Sequence, residues 1–107
     1  MSHAVVLVAV GNREEARTIA SALVADRLAA CVQLVPIESL YVWEGKVLDD
    51  DEVLLLVKTR ADAFDRLRAR VRELHSYEVP EVVMLDIAAG DAPYLDWIDG
   101  VVPPSPD

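Results

Sequence analysis

An extended segment of unusual length lies in the middle of this sequence. Residues 30–43 read Ala-Cys-Val-Gln-Leu-Val-Pro-Ile-Glu-Ser-Leu-Tyr-Val-Trp, and Glu44-Gly45 follows as the turn before a returning strand over residues 51–58. Such runs on either side of a turn predict a β-hairpin. At roughly 3.3 Å per residue the first strand would reach about 46 Å, whereas a compact chain of this length has a diameter of roughly 34 Å. The strand must therefore bend, at Pro36, or overhang the domain.

An overhanging edge strand is open to pairing with another chain. The composition points the same way, because 53% of the residues are hydrophobic and the mean hydropathy of +0.25 is high for a domain of 107 residues. A domain of this size leaves much of its surface exposed. We therefore expect oligomerisation through the strand over residues 30–43, with part of the apolar surface covered by another subunit.

The segments around the hairpin complete a β-α-β-β-α-β pattern with a last helix. Residues 4–10 form a short apolar strand, and Asn12 begins a helix with Glu15 in the capping-box position. Residues 82–87 form the fourth strand, and Asp91-Ala92-Pro93 opens the last helix. The two longer helices each carry one apolar stripe, formed by Ala16, Ile19, Ala20, Leu23 and Val24 in the first and by Phe64, Leu67, Val71 and Leu74 in the second.

This order predicts an α+β fold, a ferredoxin-like βαββαβ sandwich with an extra C-terminal helix. We expect a single domain over residues 1–101 and a short flexible tail over residues 102–107, which read Val-Pro-Pro-Ser-Pro-Asp.

The charge balance excludes several classes of partner. There are 10 Lys and Arg residues against 19 Asp and Glu, which gives a net charge of −9. Binding to nucleic acid or to an anionic membrane needs clustered basic side chains, so neither is expected. The longest apolar run, residues 4–10, is far shorter than the roughly 20 residues that span a bilayer. With Cys31 as the single cysteine, a reducing compartment and a cytoplasmic location are expected.

Several motifs together carry a family resemblance. They are residues 28–32 (Leu-Ala-Ala-Cys-Val), 39–46 (Ser-Leu-Tyr-Val-Trp-Glu-Gly-Lys), Glu52 with Lys58-Thr59, 75–81 (His-Ser-Tyr-Glu-Val-Pro-Glu) and 94–98 (Tyr-Leu-Asp-Trp-Ile). Over about residues 4–100 the chain resembles the CutA divalent-cation tolerance family. The resemblance implies a very stable homotrimer of ferredoxin-like subunits, similar to PII-type signalling proteins, and an association with divalent metals, above all copper. Ser76 stands where the family usually has proline, so we expect a looser turn beside His75.

Three residues are candidate metal ligands. Cys31 is the one soft ligand, and His75 and Glu81 offer nitrogen and oxygen ligands of the kind that Cu(II) accepts. Each has a simpler alternative interpretation: a buried cysteine acting as a small hydrophobic residue, and a histidine favoured at a helix C-terminus by the helix dipole. No H-x-x-H or C-x-x-C spacing is present, so the metal assignment depends mainly on the resemblance.

A second candidate site is a pocket for a small ligand at a subunit interface. Its residues are Ser39, Tyr41, Trp43, Lys58, Tyr77 and Glu81. The family places its aromatic residues near this interface, and the alternative interpretation is plain packing in the core and the interface. Lys58 has its own alternative, an edge lysine that protects the strand from aggregation. The acidic run over residues 49–52 is interpreted as a solvated hairpin tip.

The favoured function is a divalent-cation (copper) tolerance protein, a homotrimer that binds a metal or a small ligand and has a signalling role. The alternative is a PII-like interaction scaffold that binds metal only incidentally, for which the sequence identifies no protein partner. No obligatory cofactor is expected. An enzyme using Cys31 as nucleophile and His75 as base is the least favoured hypothesis, since no phosphate-binding glycine loop or paired-carboxylate motif accompanies them.

Overall fold

The computed structural model describes residues 2–105 and orders the elements as strand, helix, strand, strand, helix, strand and helix. Their bounds are β1 His3–Val10, α1 Arg13–Ala25, β2 Cys31–Trp43, β3 Lys46–Arg60, α2 Phe64–Leu74, β4 Val82–Asp86 and α3 Ala92–Val101, with a single 3-10 turn at Ala61–Ala63 before α2. The order confirms the predicted βαββαβ arrangement with an additional C-terminal helix.

The four strands form one antiparallel sheet in the order β2-β3-β1-β4. β1 lies inside the sheet between β3 and β4, and its residues 4–10 are apolar. Successive side chains of a strand point to opposite faces. Val6, Val8 and Val10 accordingly share one face and are fully buried beneath the helices, together with Leu55 and Val57 of β3.

Helices α1 and α2 cover this inner face through the stripes that the sequence predicts. Ile19 and Leu23 of α1 and Leu67 and Val71 of α2 are fully buried. The predicted cap is also present, because the side chain of Asn12 accepts a hydrogen bond of 2.8 Å from the backbone N–H of Glu15.

The β2–β3 hairpin extends well beyond the rest of the sheet. Pairing of β1 with β3 ends at Val10 and Val53, whereas β2 and β3 stay paired as far as Trp43 and Lys46. Residues 37–52 therefore form a two-stranded extension, which we call the hairpin arm. The arm closes through a two-residue turn in which Glu44 has φ 51° and Gly45 has φ 77°. The longest dimension of the molecule is 43 Å, so the predicted overhang is present.

The second strand of the hairpin begins earlier than predicted. We expected it over residues 51–58, but β3 spans Lys46–Arg60 and includes the acidic run. Asp and Glu disfavour strands, yet pairing with β2 holds the whole segment extended.

The opposite side of the sheet, which we call the open face, is apolar as well. Register places Val5 and Leu7 on this face beside Leu56, and these side chains are half-buried, while Val83 and Leu85 of β4 are 46% and 50% exposed. A sheet that has apolar residues on both faces, with one face largely uncovered, is typical of a subunit whose exposed face contacts another subunit in an oligomer.

The end of the chain packs on the domain. Val102, placed in the predicted tail, is fully buried beside Ala63 and Ile98. Beyond it, the backbone N–H of Ser105 donates to Asp62 over 3.2 Å. Residues 102–105 thus form no helix or strand, but these contacts hold them against the domain. The prediction of a flexible tail is wrong for this segment, because a proline-rich composition does not indicate such contacts. The last two residues of the predicted tail, 106 and 107, lie outside the described residues.

Candidate ligand-binding site

A groove of about 720 Å³ lies between the hairpin arm and the loop that follows α2. It is lined by Ala9, Glu38, Ser39, Leu40, Tyr41, Trp43, Glu44, Glu52, Tyr77, Glu78, Val79 and Glu81. Five of the six residues predicted for the small-ligand pocket belong to this set. Lys58, the sixth, does not line the groove. The volume lies within the range of pockets for small organic molecules.

The arm supplies one wall of the groove through the alternation of β2. Ser39, Tyr41 and Trp43 are two residues apart and therefore point to the same face of the strand. On β3 the residues opposite Ser39 and Ile37 are Asp50 and Glu52, so two carboxylates share this face with the aromatic side chains.

The loop supplies the other wall, and Tyr77 ties it to the base of the arm. The Tyr77 hydroxyl donates a hydrogen bond of 2.8 Å to Oε2 of Glu52, whose side chain is nine-tenths buried. Burial, followed by the bond to Glu52, raises the pKa of Tyr77 well above its usual range and keeps the phenol protonated. A Cβ on Gly11 would lie 2.9 Å from the Tyr77 oxygen, so this approach depends on a glycine at position 11.

A second phenol–carboxylate pair lies further out on the arm. The Tyr41 hydroxyl donates a hydrogen bond to Asp50 on the neighbouring strand. That bond, with smaller contributions from desolvation and from the negative charge of Asp50, raises the pKa of Tyr41 to about 12. Both groove tyrosines are therefore hydrogen-bond donors to carboxylates at neutral pH.

His75 is buried beneath the loop, and both of its ring nitrogens have partners within the chain. Nε2 lies 2.8 Å from the carbonyl oxygen of Ala9, and Nδ1 accepts the backbone N–H of Tyr77 over 3.1 Å. A carbonyl can only accept, so Nε2 carries the proton and Nδ1 is the acceptor. In this arrangement the imidazole positions Tyr77 and offers no free nitrogen to a metal.

The turn beside His75 is held firmly, contrary to the expectation for Ser76. The backbone N–H and the hydroxyl of Ser76 both donate to the carboxylate of Glu15, each over 2.8 Å. A proline at this position could make neither bond. The predicted loosening is therefore wrong for this chain, because Glu15 of α1 anchors the turn.

The remaining candidates lie toward the opposite end of the sheet. Cys31 is half-buried with a free thiol, and it pairs in register with Lys58, whose ammonium donates to the side chain of Gln33 over 2.8 Å. His75 contacts Ala9, which pairs with Leu54, and Leu54 is four residues from Lys58 along β3. Four residues of strand correspond to roughly 13 Å. Within residues 2–105 there is no cluster of three or more His, Cys, Asp or Glu side chains suited to a metal ion. Cys31, His75 and Glu81 thus do not meet in one subunit.

The main residue that the sequence interpretation missed is Glu52. The acidic run was assigned to a solvated tip, and Asp49, Asp50 and Asp51 are indeed exposed. Glu52 is buried at the base of the arm, where it pairs with Ile37, directly follows the last β1–β3 pair at Val53 and bonds to Tyr77. Counting the register back from the Glu44-Gly45 turn would have placed it there.

The groove is uniformly acidic. Glutamates at positions 38, 44, 52, 78 and 81 line it, and its lining includes no lysine or arginine. No positively charged side chain in the lining therefore offsets the negative charge of these glutamates.

Comparison with known proteins identifies close relatives along almost the whole chain. Residues 4–101 match the family described as CutA1 divalent ion tolerance protein. A divalent-cation tolerance protein CutA from Thermus thermophilus is 57% identical over 95 residues, which cover 88% of this chain and 92% of that protein. A chloroplastic protein CutA 1 from rice is 47% identical over 95 residues, but these cover only 54% of its length.

Solved structures agree with these matches. The divalent cation tolerance protein of Thermus thermophilus superimposes with a TM-score of 0.92 at 53% identity, covering 94% of this chain and 99% of that chain. CutA1 from Oryza sativa gives a TM-score of 0.95 at 43% identity, covering 98% and 97%. An Archaeoglobus fulgidus structure, described as a periplasmic divalent cation tolerance protein, gives 0.93 at 39% identity and covers 94% and 99%. None of the helices in residues 2–105 has the length and apolar character needed to cross a membrane.

Proposed function

Because the chain belongs to the family of CutA1 divalent ion tolerance proteins, we propose that it acts in divalent-cation tolerance as a cytoplasmic homotrimer that binds copper, another divalent metal or a small ligand. The observation that carries the ligand-binding part is the groove of about 720 Å³ between the arm and the Tyr77–Glu81 loop. Its walls are held by hydrogen bonds from Tyr77 to Glu52 and from Tyr41 to Asp50, so the site is largely formed before any ligand arrives.

The trimer is supported by two surfaces that a single subunit leaves exposed. One is the apolar open face of the sheet, and the other is the arm, on which Leu40, Val42 and Val47 are 72%, 69% and 75% exposed. A two-stranded hairpin is only marginally stable alone and needs packing against another element. We expect a neighbouring subunit to supply that packing.

For the metal, we propose that Cys31, His75 and Glu81 act as ligands across a subunit contact, where His75 would have to give up its hydrogen bond from the Tyr77 backbone to free Nδ1. The half-buried thiol of Cys31 lies on the open face, where another subunit would approach. Variants Cys31→Ser, His75→Ala and Glu81→Gln test each ligand by calorimetric titration of chelator-treated protein with Cu(II). Glu73→Gln, an exposed glutamate on α2, is the matched control.

Native mass spectrometry of the purified protein tests the assembly and the ligand together. We expect a mass near three times 11.8 kDa, with a stoichiometric metal or small-molecule adduct. A monomer would contradict the trimer. A bare trimer that takes up neither metal nor small molecule would contradict the binding role and favour the PII-like scaffold, for which the exposed apolar tip of the arm is a suitable contact surface.

We propose a binding role rather than catalysis by a Cys31–His75 pair. Thiol catalysis needs the imidazole within hydrogen-bond reach of the sulfur. The ring nitrogens of His75 are bonded to Ala9 and Tyr77 instead, and Cys31 lies toward the other end of the sheet. Slow, ordinary reactivity of Cys31 toward a thiol reagent is the expected result; rapid alkylation at neutral pH would revive the enzyme hypothesis.

A further inference from the structure

The lining of the groove distinguishes between classes of ligand. It combines five glutamates with the rings of Tyr41, Trp43 and Tyr77 and contains no basic side chain. An anionic ligand would meet carboxylates on both walls and no counter-charge. The charge of the lining therefore favours a cation over an anion.

One carboxylate is oriented in a way that surface acidic residues are not. Glu52 is nine-tenths buried, and Oε2 is held by the Tyr77 hydroxyl. Oε1 is not among the buried atoms without a partner in residues 2–105, so this oxygen of a groove-lining residue is accessible to a ligand. A carboxylate oxygen that is held at the groove wall without a donor of its own is free to accept a hydrogen bond from a ligand N–H.

The aromatic walls separate an organic cation from a bare metal ion. Rings attract ammonium and guanidinium groups through their faces, and Trp is the strongest partner of this kind. A metal ion instead needs several oxygen, nitrogen or sulfur ligands at roughly 2.0–2.6 Å. No such cluster exists among the described residues, and the groove is far larger than one ion requires.

We propose that the groove binds a small organic cation of the amine class, with its ammonium group between Glu52 and Glu81 and its carbon chain against Tyr41 and Trp43. This inference rests on the proposed ligand-binding role of the groove and specifies the ligand that it takes. Two ammonium groups on one chain would engage the carboxylates of the loop and of the arm together.

Three probes of equal chain length and different charge test the proposal. Octamethylenediamine is a dication at neutral pH, octanediol is neutral and suberate is a dianion. They are titrated calorimetrically into the full-length protein in phosphate buffer, because amine buffers are themselves organic cations. We expect binding of the diamine, at least about tenfold weaker binding of the diol and no binding of suberate. We also expect the diamine affinity to fall as salt is raised. Equal affinity for diamine and diol, or preference for suberate, would overturn the proposal.

Variants then locate the binding. Glu81→Gln removes a charge at an exposed position, and Glu52→Gln keeps the shape of the buried side chain. Each is expected to weaken diamine binding about tenfold. Tyr41→Leu, which removes one of the two rings proposed to face the carbon chain, is expected to weaken it by roughly twofold to thirtyfold, and Glu73→Gln on α2 should have no effect. Unchanged affinity in both groove glutamate variants would place the diamine elsewhere and contradict the proposal.

The same titrations separate this inference from the proposed function. If Cu(II) binds the wild-type chain and the diamine does not, the organic-cation inference is wrong and the metal-binding role stands. If the diamine binds and Cu(II) does not, the organic-cation inference is supported and the copper-binding part of the proposed function is contradicted. If neither binds, both proposals are contradicted.

Discussion

The hydroxyl of Tyr77 lies 2.8 Å from the carboxylate of Glu52 and joins the loop after α2 to the base of the hairpin arm. Among the described residues it is the one side-chain hydrogen bond that links the two walls of the groove. The contact also fixes the position of the Glu52 carboxylate in the groove wall, because it holds Oε2 and leaves Oε1 open to a ligand.

We predict that Tyr77→Phe lowers the free energy of unfolding by about 1–3 kcal/mol, because it leaves the buried Glu52 without its donor. Tyr94→Phe is the matched control, since Tyr94 is exposed on α3 and packs beside Trp97 with ring centroids 5.6 Å apart. The control should change stability by less than about 0.5 kcal/mol. Urea denaturation at fixed protein concentration measures both. Equal stability of the two variants would show that the Tyr77–Glu52 bond contributes nothing.

Gly11→Ala should disturb the same contact from the opposite side. The new Cβ would lie 2.9 Å from the Tyr77 hydroxyl, a distance that requires the phenol to move. We expect a loss of about 1–3 kcal/mol, as for other overpacked sites, together with weaker ligand binding.

Gly100→Ala provides the control for that substitution. Gly100 lies in α3, and a Cβ there meets no atom within 4 Å. Alanine in a helix should stabilise the protein by up to about 1 kcal/mol. A loss of similar size in both glycine variants would argue against a specific clash at Tyr77.

The sequence predicts the fold of this chain well because each element has its own local signal. The apolar run of β1, the Asn12 cap and the apolar stripe of α1 each depend on residues close together in the chain, and all three are present in the structure. Strand length left a bend at Pro36 or an overhang as the alternatives for the hairpin, and the structure has the overhang.

The site was predicted less completely because it depends on contacts between distant segments. Tyr77 and Glu52 are 25 residues apart, and Ser76 and Glu15 are 61 apart. Nothing local to Glu52 distinguishes it from its exposed acidic neighbours; only the register of the hairpin does. Lys58 was grouped with the groove residues because it belongs to the same set of family motifs. In the structure it lies four residues beyond Leu54 on β3, away from the arm.

The bonds between Glu15 and Ser76 should be measurable as a coupling energy. Ser76→Ala removes the hydroxyl donor and keeps the backbone N–H, and Glu15→Ala removes the acceptor of both bonds. We expect Ser76→Ala to cost about 0.5–1.5 kcal/mol and Glu15→Ala to cost more. In the double variant the losses should be smaller than the sum of the two, by about 0.5 kcal/mol or more. Additive losses would show that the two residues are not coupled.

The pH dependence of stability should reveal the Tyr41–Asp50 pair. The hydrogen bond to Asp50 raises the folded-state pKa of Tyr41 from 10.0 to about 12. A raised pKa means that the contribution of this group to stability is complete below the unfolded value and is lost as the pH rises toward the folded value. We therefore expect the wild-type protein to lose more stability than Asp50→Asn on going from pH 10 to pH 12.

Absorbance of the tyrosinate form tests the same pair directly. Asp50→Asn should ionise Tyr41 at lower pH than the wild type. Asp49→Asn is the matched control, because Asp49 pairs with Leu40 and points to the other face of the hairpin arm. Identical titration curves for all three proteins would contradict the assigned hydrogen bond.

Trp43→Ala should weaken assembly more than it disturbs the subunit. Trp43 lies at the end of the arm, far from the buried core, and is 43% exposed in a single subunit. Its loss therefore removes little packing within the chain, but it removes a large apolar contact from the surface that we propose is covered in the trimer. We expect native mass spectrometry to show monomer at concentrations where the wild type is trimeric, with a nearly unchanged circular dichroism spectrum. Equal loss of assembly and of folded structure in Trp43→Ala would show instead that the arm is part of the folding core of each subunit.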